Sequence, residues 1–292
     1  MTKTHVKLAR QSILFFTVVF GLALPGHAAV LLDDTWADGT RTNQNLPMKS
    51  AWYASNGAAL TAAADSMTLS LGSGAVMAIT YFTTNATSPV QLSMGDTLTA
   101  TFRLTLKGVA AANTSVGFRL GLFDFSRSTL IHKRLSADKF SSSSQGNGVP
   151  GYALFQNMGV TFAKSAPMDI RKRTALTDGA LLGSSGSWTS LGAGPGNTDT
   201  FPGFANGAQY ILQLALQRTG TNSIVISATW SNVASGATLA TSVRDNGATN
   251  FNFDGIAVRP QNDASSASTI SFNEVKVEVV PASTPRSTGT RR

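Results

Sequence analysis

Glu274 and Glu278 are the only glutamates in the 292-residue chain, and a pair of carboxylates is what hydrolysis of a glycosidic bond requires. A retaining pair sits about 5–5.5 Å apart and an inverting pair roughly 6.5–9.5 Å apart. On an extended strand rising about 3.3 Å per residue, positions four apart have Cα atoms about 13 Å apart. Both glutamates also share a phase with Lys276, opposite Val275, Val277 and Val279, which reads as a solvated face. The densest acidic cluster is Asp33, Asp34 and Asp38, which offers either oxygen ligands for a hard cation or ordinary acids at a strand start and turn. Proton transfer has few candidates. The three histidines are His5, His27 and His132, and the last lies in Ile131-His132-Lys133-Arg134, a basic surface turn. There is no cysteine, which removes disulfides, thiolate chemistry and Cys-based metal sites.

Two groups of residues could bind rather than react. Arg171 and Arg173 flank Lys172 on a predicted strand and share one face, where two guanidiniums could meet an anionic sugar; a solvated run of charge is the alternative. Exposed tryptophan and tyrosine rings stack on the C–H faces of sugars. Trp188, in a Gly/Ser-rich segment, and Trp52 with Tyr53, after a polar turn, are the candidates, with packing beneath loops as the alternative. Trp230 shares the apolar phase of its strand and belongs to the core.

These side chains sit in a chain that begins with an export signal. Lys3, Lys7 and Arg10 precede an apolar run of about 12 residues and a small-residue break, Pro25-Gly26-His27-Ala28-Ala29, with cleavage expected after Ala28 or Ala29. The run is short of the roughly 20 residues that cross a bilayer, so no transmembrane anchor is expected in the mature chain. Residues 1–29 would thus be a signal peptide, 30–280 the folded domain and 281–292 a disordered polar and basic tail. The formal charge of +8 is concentrated at the ends. Signal and tail carry six of the 23 Lys/Arg and no acid, leaving 17 basic against 15 acidic residues between them. A surface so nearly neutral lacks the broad basic face that a phosphate backbone demands, and nucleic acid is not an expected partner. Removal of the signal also takes His5 and His27, so His132 would be the one imidazole left for catalysis.

The elements that must position the candidates are strands. Leu98, Ala100, Phe102, Leu104 and Leu106 alternate with Thr97, Thr99, Thr101, Arg103 and Thr105. Val116, Phe118, Leu120 and Leu122 repeat the pattern, with Arg119 and Phe123 on the other phase, and are expected to pair with the preceding strand. Tyr210, Leu212, Leu214 and Leu216 and then Ile224, Ile226, Ala228 and Trp230 flank Arg218-Thr219-Gly220-Thr221-Asn222, which predicts a hairpin. Further strands are expected within 67–71, 75–82, 152–156, 159–163, 168–174, 251–259 and 269–280, a short helix at 130–139, and long loops at 139–151 and 183–207. In the last strand the apolar phase slips between Phe272 and Val275, which predicts either a β-bulge near Asn273-Glu274 or a second apolar layer.

Leu32-Asp33-Asp34-Thr35-Trp36-Ala37-Asp38-Gly39, Gly117-Phe118-Arg119-Leu120-Gly121-Leu122-Phe123, Tyr210 to Arg218, Phe251-Asn252-Phe253-Asp254-Gly255 and Ile270-Ser271-Phe272-Asn273-Glu274-Val275 come in an order that resembles the concanavalin A-like (laminin-G-like) jelly rolls of secreted bacterial proteins. The resemblance spans nearly the whole mature chain and implies an all-β, two-sheet antiparallel jelly-roll sandwich, about six strands per sheet, with first and last strands adjacent. That adjacency would bring Asp33 and Asp34 toward Asn273, a candidate structural Ca²⁺ site. Val280-Pro281 and Arg291-Arg292 are similar to the frame of a C-terminal sorting segment, but the apolar stretch between them is missing. Fold and inventory together favour an exported, non-catalytic protein that binds polysaccharide or associates with a surface. A polysaccharide lyase or glycoside hydrolase on the same fold, and a structural or adhesive extracellular protein, are the alternatives.

Overall fold

Residues 97–106 show how this chain makes strands: Leu98, Ala100, Phe102, Leu104 and Leu106 are all fully buried, and the residues between them face outward, half-exposed. Period-two alternation of this kind fits a pleated strand with one face on a core. A computed structural model describes residues 27–130, 133–141, 144–194 and 198–283. Most of the expected export segment, the end of the tail and His132 lie outside them. The strands are Ala29–Asp34 (β1), Trp52–Ala54 (β2), Leu60–Ala63 (β3), Ser66–Ser70 (β4), Ala78–Tyr81 (β5), Val90–Gln91 (β6), Thr97–Val109 (β7), Phe118–Phe123 (β8), Gly151–Gln156 (β9), Met168–Arg173 (β10), Trp188–Gly194 (β11), Gln209–Arg218 (β12), Ile224–Asn232 (β13), Thr238–Asp245 (β14), Asn252–Phe253 (β15), Gly255–Val258 (β16) and Ala267–Val280 (β17).

Fifteen of them form the expected jelly-roll sandwich of two antiparallel sheets, with eight and seven strands rather than about six each, and β6 and β15 pair as a separate two-stranded ribbon. The eight-stranded sheet runs β14-β13-β12-β7-β17-β4-β3, with β1 also on β17; the seven-stranded sheet runs β11-β10-β9-β8-β16-β5-β2. Sheet neighbours come from opposite ends of the chain: β17 lies between β7 on one side and both β4 and β1 on the other. First and last strands are therefore adjacent, as expected. The slipped phase in the last strand is a bulge, because the β17–β7 register shifts between Phe272 and Glu274. The β12–β13 hairpin is also as expected, closed by the Thr219 N–H donating to the Ser223 carbonyl at 2.9 Å.

Four expectations are corrected. β8 does not pair with β7, because residues 110–117 carry the chain from one sheet to the other, where β8 lies between β9 and β16. No helix forms among the described residues of 130–139, which run as bends; the described helical pieces are single 3-10 turns at Gly57–Ala59 and Phe125–Arg127. Residues 159–163 are bends rather than a strand, and Phe162 packs against Phe201 and Phe204. Within the expected loop 183–207 lies β11, which pairs with β10 and covers that sheet's edge.

Two apolar clusters result. The larger fills the space between the sheets, around Trp52, Phe102, Phe118, Tyr210 and Trp230. The smaller lies on the outer face of the seven-stranded sheet, where Phe125, Val149, Leu181 and Leu182 from the connecting segments cover Tyr81, Phe123, Phe155 and Trp188. That sheet is consequently buried on both faces, and every residue of β5, β8, β9 and β16 is buried.

Candidate functional site

At one end of the sandwich the sheets part and leave a cleft of about 230 Å³, lined by Pro150, Gly151, Tyr152, Lys172, Arg173, Thr174, Leu176, Thr249 and Asn250. Its polar groups are placed by register. Tyr152 on β9 stands directly opposite Lys172 on β10, and both point inward toward Asp245, the last residue of β14 in the facing sheet. The Tyr152 hydroxyl donates to Asp245 Oδ2 at 2.7 Å, and Lys172 Nζ meets the same oxygen at 2.8 Å and the Gly247 carbonyl at 2.6 Å. The Gly247 N–H donates to Asp245 Oδ1 at 2.9 Å. Asn250 is fixed by its amide donating to the Asn252 carbonyl at 2.8 Å.

The electrostatics of this set favour fixed hydrogen bonding. Burial opposes the charge on Asp245, but Lys172, Tyr152 and the Gly247 N–H outweigh it and hold the carboxyl below its usual range. Burial pushes the Tyr152 phenol well above its ordinary value, and the bond to the Asp245 carboxylate adds to that shift. The lowered carboxyl and the raised phenol favour the charged acceptor and the neutral donor, so each is held in its hydrogen-bonding role. What they offer is a fixed set of donors and acceptors beside the apolar walls of Pro150 and Leu176.

The structure distributes the sequence-predicted residues differently. Trp52 is fully buried between the sheets, and Trp188 is 6% exposed, its indole N–H donating to the Leu181 carbonyl at 2.9 Å while its ring meets Phe123 and Phe155 edge-on. Neither presents a ring face to a ligand, because β2 lies against the main core and the 174–187 segment closes over β11. Tyr53 is half-buried beside the smaller cluster. Arg173 is buried, and its guanidinium donates to the carbonyls of Leu181, Ala175 and Asp178, so it ties down the covering segment. Arg171 is paired with Asp169 at 2.7 Å and lies over the Phe155 ring.

The calcium ligands do not converge. Asp33 and Asp34 alternate, one outward and one buried, and both oxygens of Asp34 accept backbone N–H groups, from Trp36 and Ser50 at 2.9 Å each. Asp33 stands opposite Lys276, three residues or about 10 Å along β17 from Asn273. Asn273 bonds instead with Thr105, Gln209 and the Asp65 carbonyl. Among the described residues no three carboxylate or imidazole side chains gather as a metal group would need. This donor set does not fit the ion. Glu274 and Glu278 point outward to Arg103 at 3.5 Å and Lys276 at 2.7 Å, the solvated face expected of them.

Of the cleft lining, sequence reasoning reached the run 171–173 and named Arg173, which lines it together with Lys172. Its alternation separates Lys172 from the two arginines, and the lysine is the member that reaches Asp245.

No protein-family profile matches the chain, and no curated protein matches it. Solved structures similar to it include peanut lectin with a 9mer peptide, at 9% identity over 87% of this chain and 97% of that one, with a TM-score of 0.46. The metal-free lectin I-B4 from Griffonia simplicifolia gives 8% over 87% and 99%, with a TM-score of 0.45. An endo-1,3-beta-glucanase from Streptomyces sioyaensis gives 11% over 89% and 99%, with a TM-score of 0.43. At these values the fold rests on the strand order of this chain itself. Among the described residues no helix is long and apolar enough to cross a membrane.

Proposed function

We propose that this is an exported, non-catalytic carbohydrate-binding protein, and that the cleft between β9, β10 and the end of β14 holds the sugar. The observation that carries the reading is the Tyr152–Asp245–Lys172 set at the wall of a small hollow. Its charges cancel, its donors and acceptors are held by neighbouring strands, and apolar Pro150 and Leu176 stand beside them. A cleft of about 230 Å³ lies below the roughly 300–1,000 Å³ of pockets for drug-sized ligands, a scale suited to one terminal or side-chain sugar ring. Against hydrolysis stands the lack of a carboxylate pair: no acid is among the lining residues, and Asp245 behind Tyr152 and Lys172 has bonds that all stabilise its ionised form.

The test is a neutral-glycan array probed with the mature protein, with and without EDTA, followed by a reducing-end assay on each hit. We expect binding that is indifferent to EDTA, no product, and a loss of at least about tenfold in both Lys172→Ala and Asn250→Ala. Product formation would overturn the non-catalytic reading. Failure to bind across a broad array would favour the structural or adhesive alternative.

A further inference from the structure

The outer face of the seven-stranded sheet carries a second polar arrangement that the cleft does not use. Arg119 on β8 and Arg259, one residue past β16, exchange backbone hydrogen bonds of 2.8 and 3.2 Å, and Arg119 stands opposite Phe155 of β9. The Arg119 guanidinium carbon lies 4.8 Å from the centre of the Phe155 ring and that of Arg171 lies 4.4 Å from it, so two cations share one fully buried ring with a third beside them. Cation–π attraction helps hold them there, but it does not cancel their charge.

The positive charge of this group is mostly unanswered. Arg171 has the Asp169 carboxylate. Arg119, only 5% exposed, donates Nη1 to the carbonyls of Leu182 at 2.5 Å and Gly183 at 3.3 Å, while its Nε–H is buried without a partner. Arg259 Nη1 is likewise buried and unpartnered. Among the described residues no carboxylate acts on either of these two. Burial, and then the guanidiniums of Arg259 and Arg171, bring Arg119 down to about 10, and burial lowers Arg259. Three cations against one carboxylate in a mostly desolvated patch is an arrangement that costs stability unless an anion completes it.

We propose that this patch is an oxyanion site, at which the carboxylate or sulfate ester of an acidic saccharide docks on the part-exposed guanidiniums of Arg259 and Arg171, drawn there by the unbalanced charge of the buried Arg119 beside them. The planar fork of a guanidinium matches such oxygens in pairs, which an ammonium does not. A polyphosphate backbone is a poorer occupant, because the domain around the patch is nearly neutral. The site is separate from the cleft, so the two readings stand or fall independently. The cleft is tested with neutral sugars and Lys172, and this patch with acidic polymers and Arg259.

The experiment is a binding titration of the mature protein with polygalacturonate, dextran sulfate and neutral dextran at two salt concentrations, with single-stranded DNA as a fourth arm. The expected result is binding of one or both acidic polymers, weaker at higher salt, with dextran silent and DNA much weaker. The polygalacturonate and dextran sulfate arms separate the carboxylate from the sulfate ester. Arg259→Gln should weaken binding at least about tenfold, and Arg259→Lys should restore only part of it. Should Arg259→Gln fail to fold, Arg171→Gln takes its place with the same expectation. Equal binding of dextran, undiminished binding by the glutamine variant, or DNA binding as tight as that of the saccharides would each overturn the proposal.

Discussion

On the eight-stranded sheet the outward residues of β7, β12 and β13 are largely threonine, serine and glutamine, part-exposed and bonded to one another across strands, as Gln213 is to Thr101 and Ser227 to Ser242. On the seven-stranded sheet the outward residues include Tyr81, Phe123, Phe155 and Trp188, buried a second time beneath 124–150 and 174–187. One sheet thus uses its outer face only to meet water, whereas the other uses it as a second core. The difference also sorts charge. Ion pairs on the open face are exposed and matched, as Lys276 is to Glu278. On the covered face Asp254 is wholly buried against Arg134, while Arg119 and Arg259 have no acidic partner among the described residues. Unbalanced and desolvated groups are where a protein departs from what stability alone would select, so the covered face is the place to look for a ligand.

The comparison can be broken most directly by truncation. Phe123 is fully buried against Phe125 and Trp188 in the smaller cluster, and Phe123→Ala should cost about 3–5 kcal/mol in urea unfolding. A cost near zero would mean that the second cluster is not a core. A second, smaller effect is set by pH. Burial, partly offset by the Phe125 N–H and Arg134, raises the Asp254 carboxyl to about 6, so between about pH 4 and 6 the folded chain binds a proton that the unfolded chain has released. The stabilisation is fully present below about 4 and lost as pH rises through about 6, worth at most about 3 kcal/mol. The melting temperature should therefore rise from pH 7 to pH 5, and Asp254→Asn should flatten that rise. Asp124, raised in the same direction by burial, keeps the variant from being wholly flat. The carboxyls held low, Asp138, Asp178 and Asp245, lose their contributions further down the acid range. The smallest effect belongs to the open face. Arg103 meets Glu274 at 3.5 Å in partly exposed surroundings, and Arg103→Ala should change stability by no more than about 0.5 kcal/mol in the same urea assay. A large loss there would erase the contrast between the faces.

That contrast also explains which parts of the molecule could be read from sequence. Strands with one wet face announce themselves, and the alternation in β7, β12 and β13 gave both their extent and their buried phase. Strands covered twice do not. β8 alternates as though Arg119 and Phe123 faced water, when both are buried under segments that only the tertiary structure brings there. Trp188 sits among glycines and serines whose composition says loop, yet pairing with β10 makes it a strand. The cleft was hidden for another reason. Tyr152, Lys172 and Asp245 are distant in sequence and meet only because β14 ends where β9 and β10 face each other. The bulge at Asn273 was legible because a slip of one residue exchanges the two faces of a strand, which apolar periodicity records directly.

The position of β17 bears on when the chain can fold at all. This strand is the last of the seventeen to be made, yet it lies in the interior of its sheet, joined to β7 on one side and to β4 and β1 on the other. A growing chain therefore cannot complete that sheet before β17 is made, since β1 and one side of β7 wait for a partner more than 150 residues away in sequence. Closing such long loops before any pairing rewards them makes folding slow. For a protein proposed to leave the cytoplasm, that delay favours export before the sheet has closed.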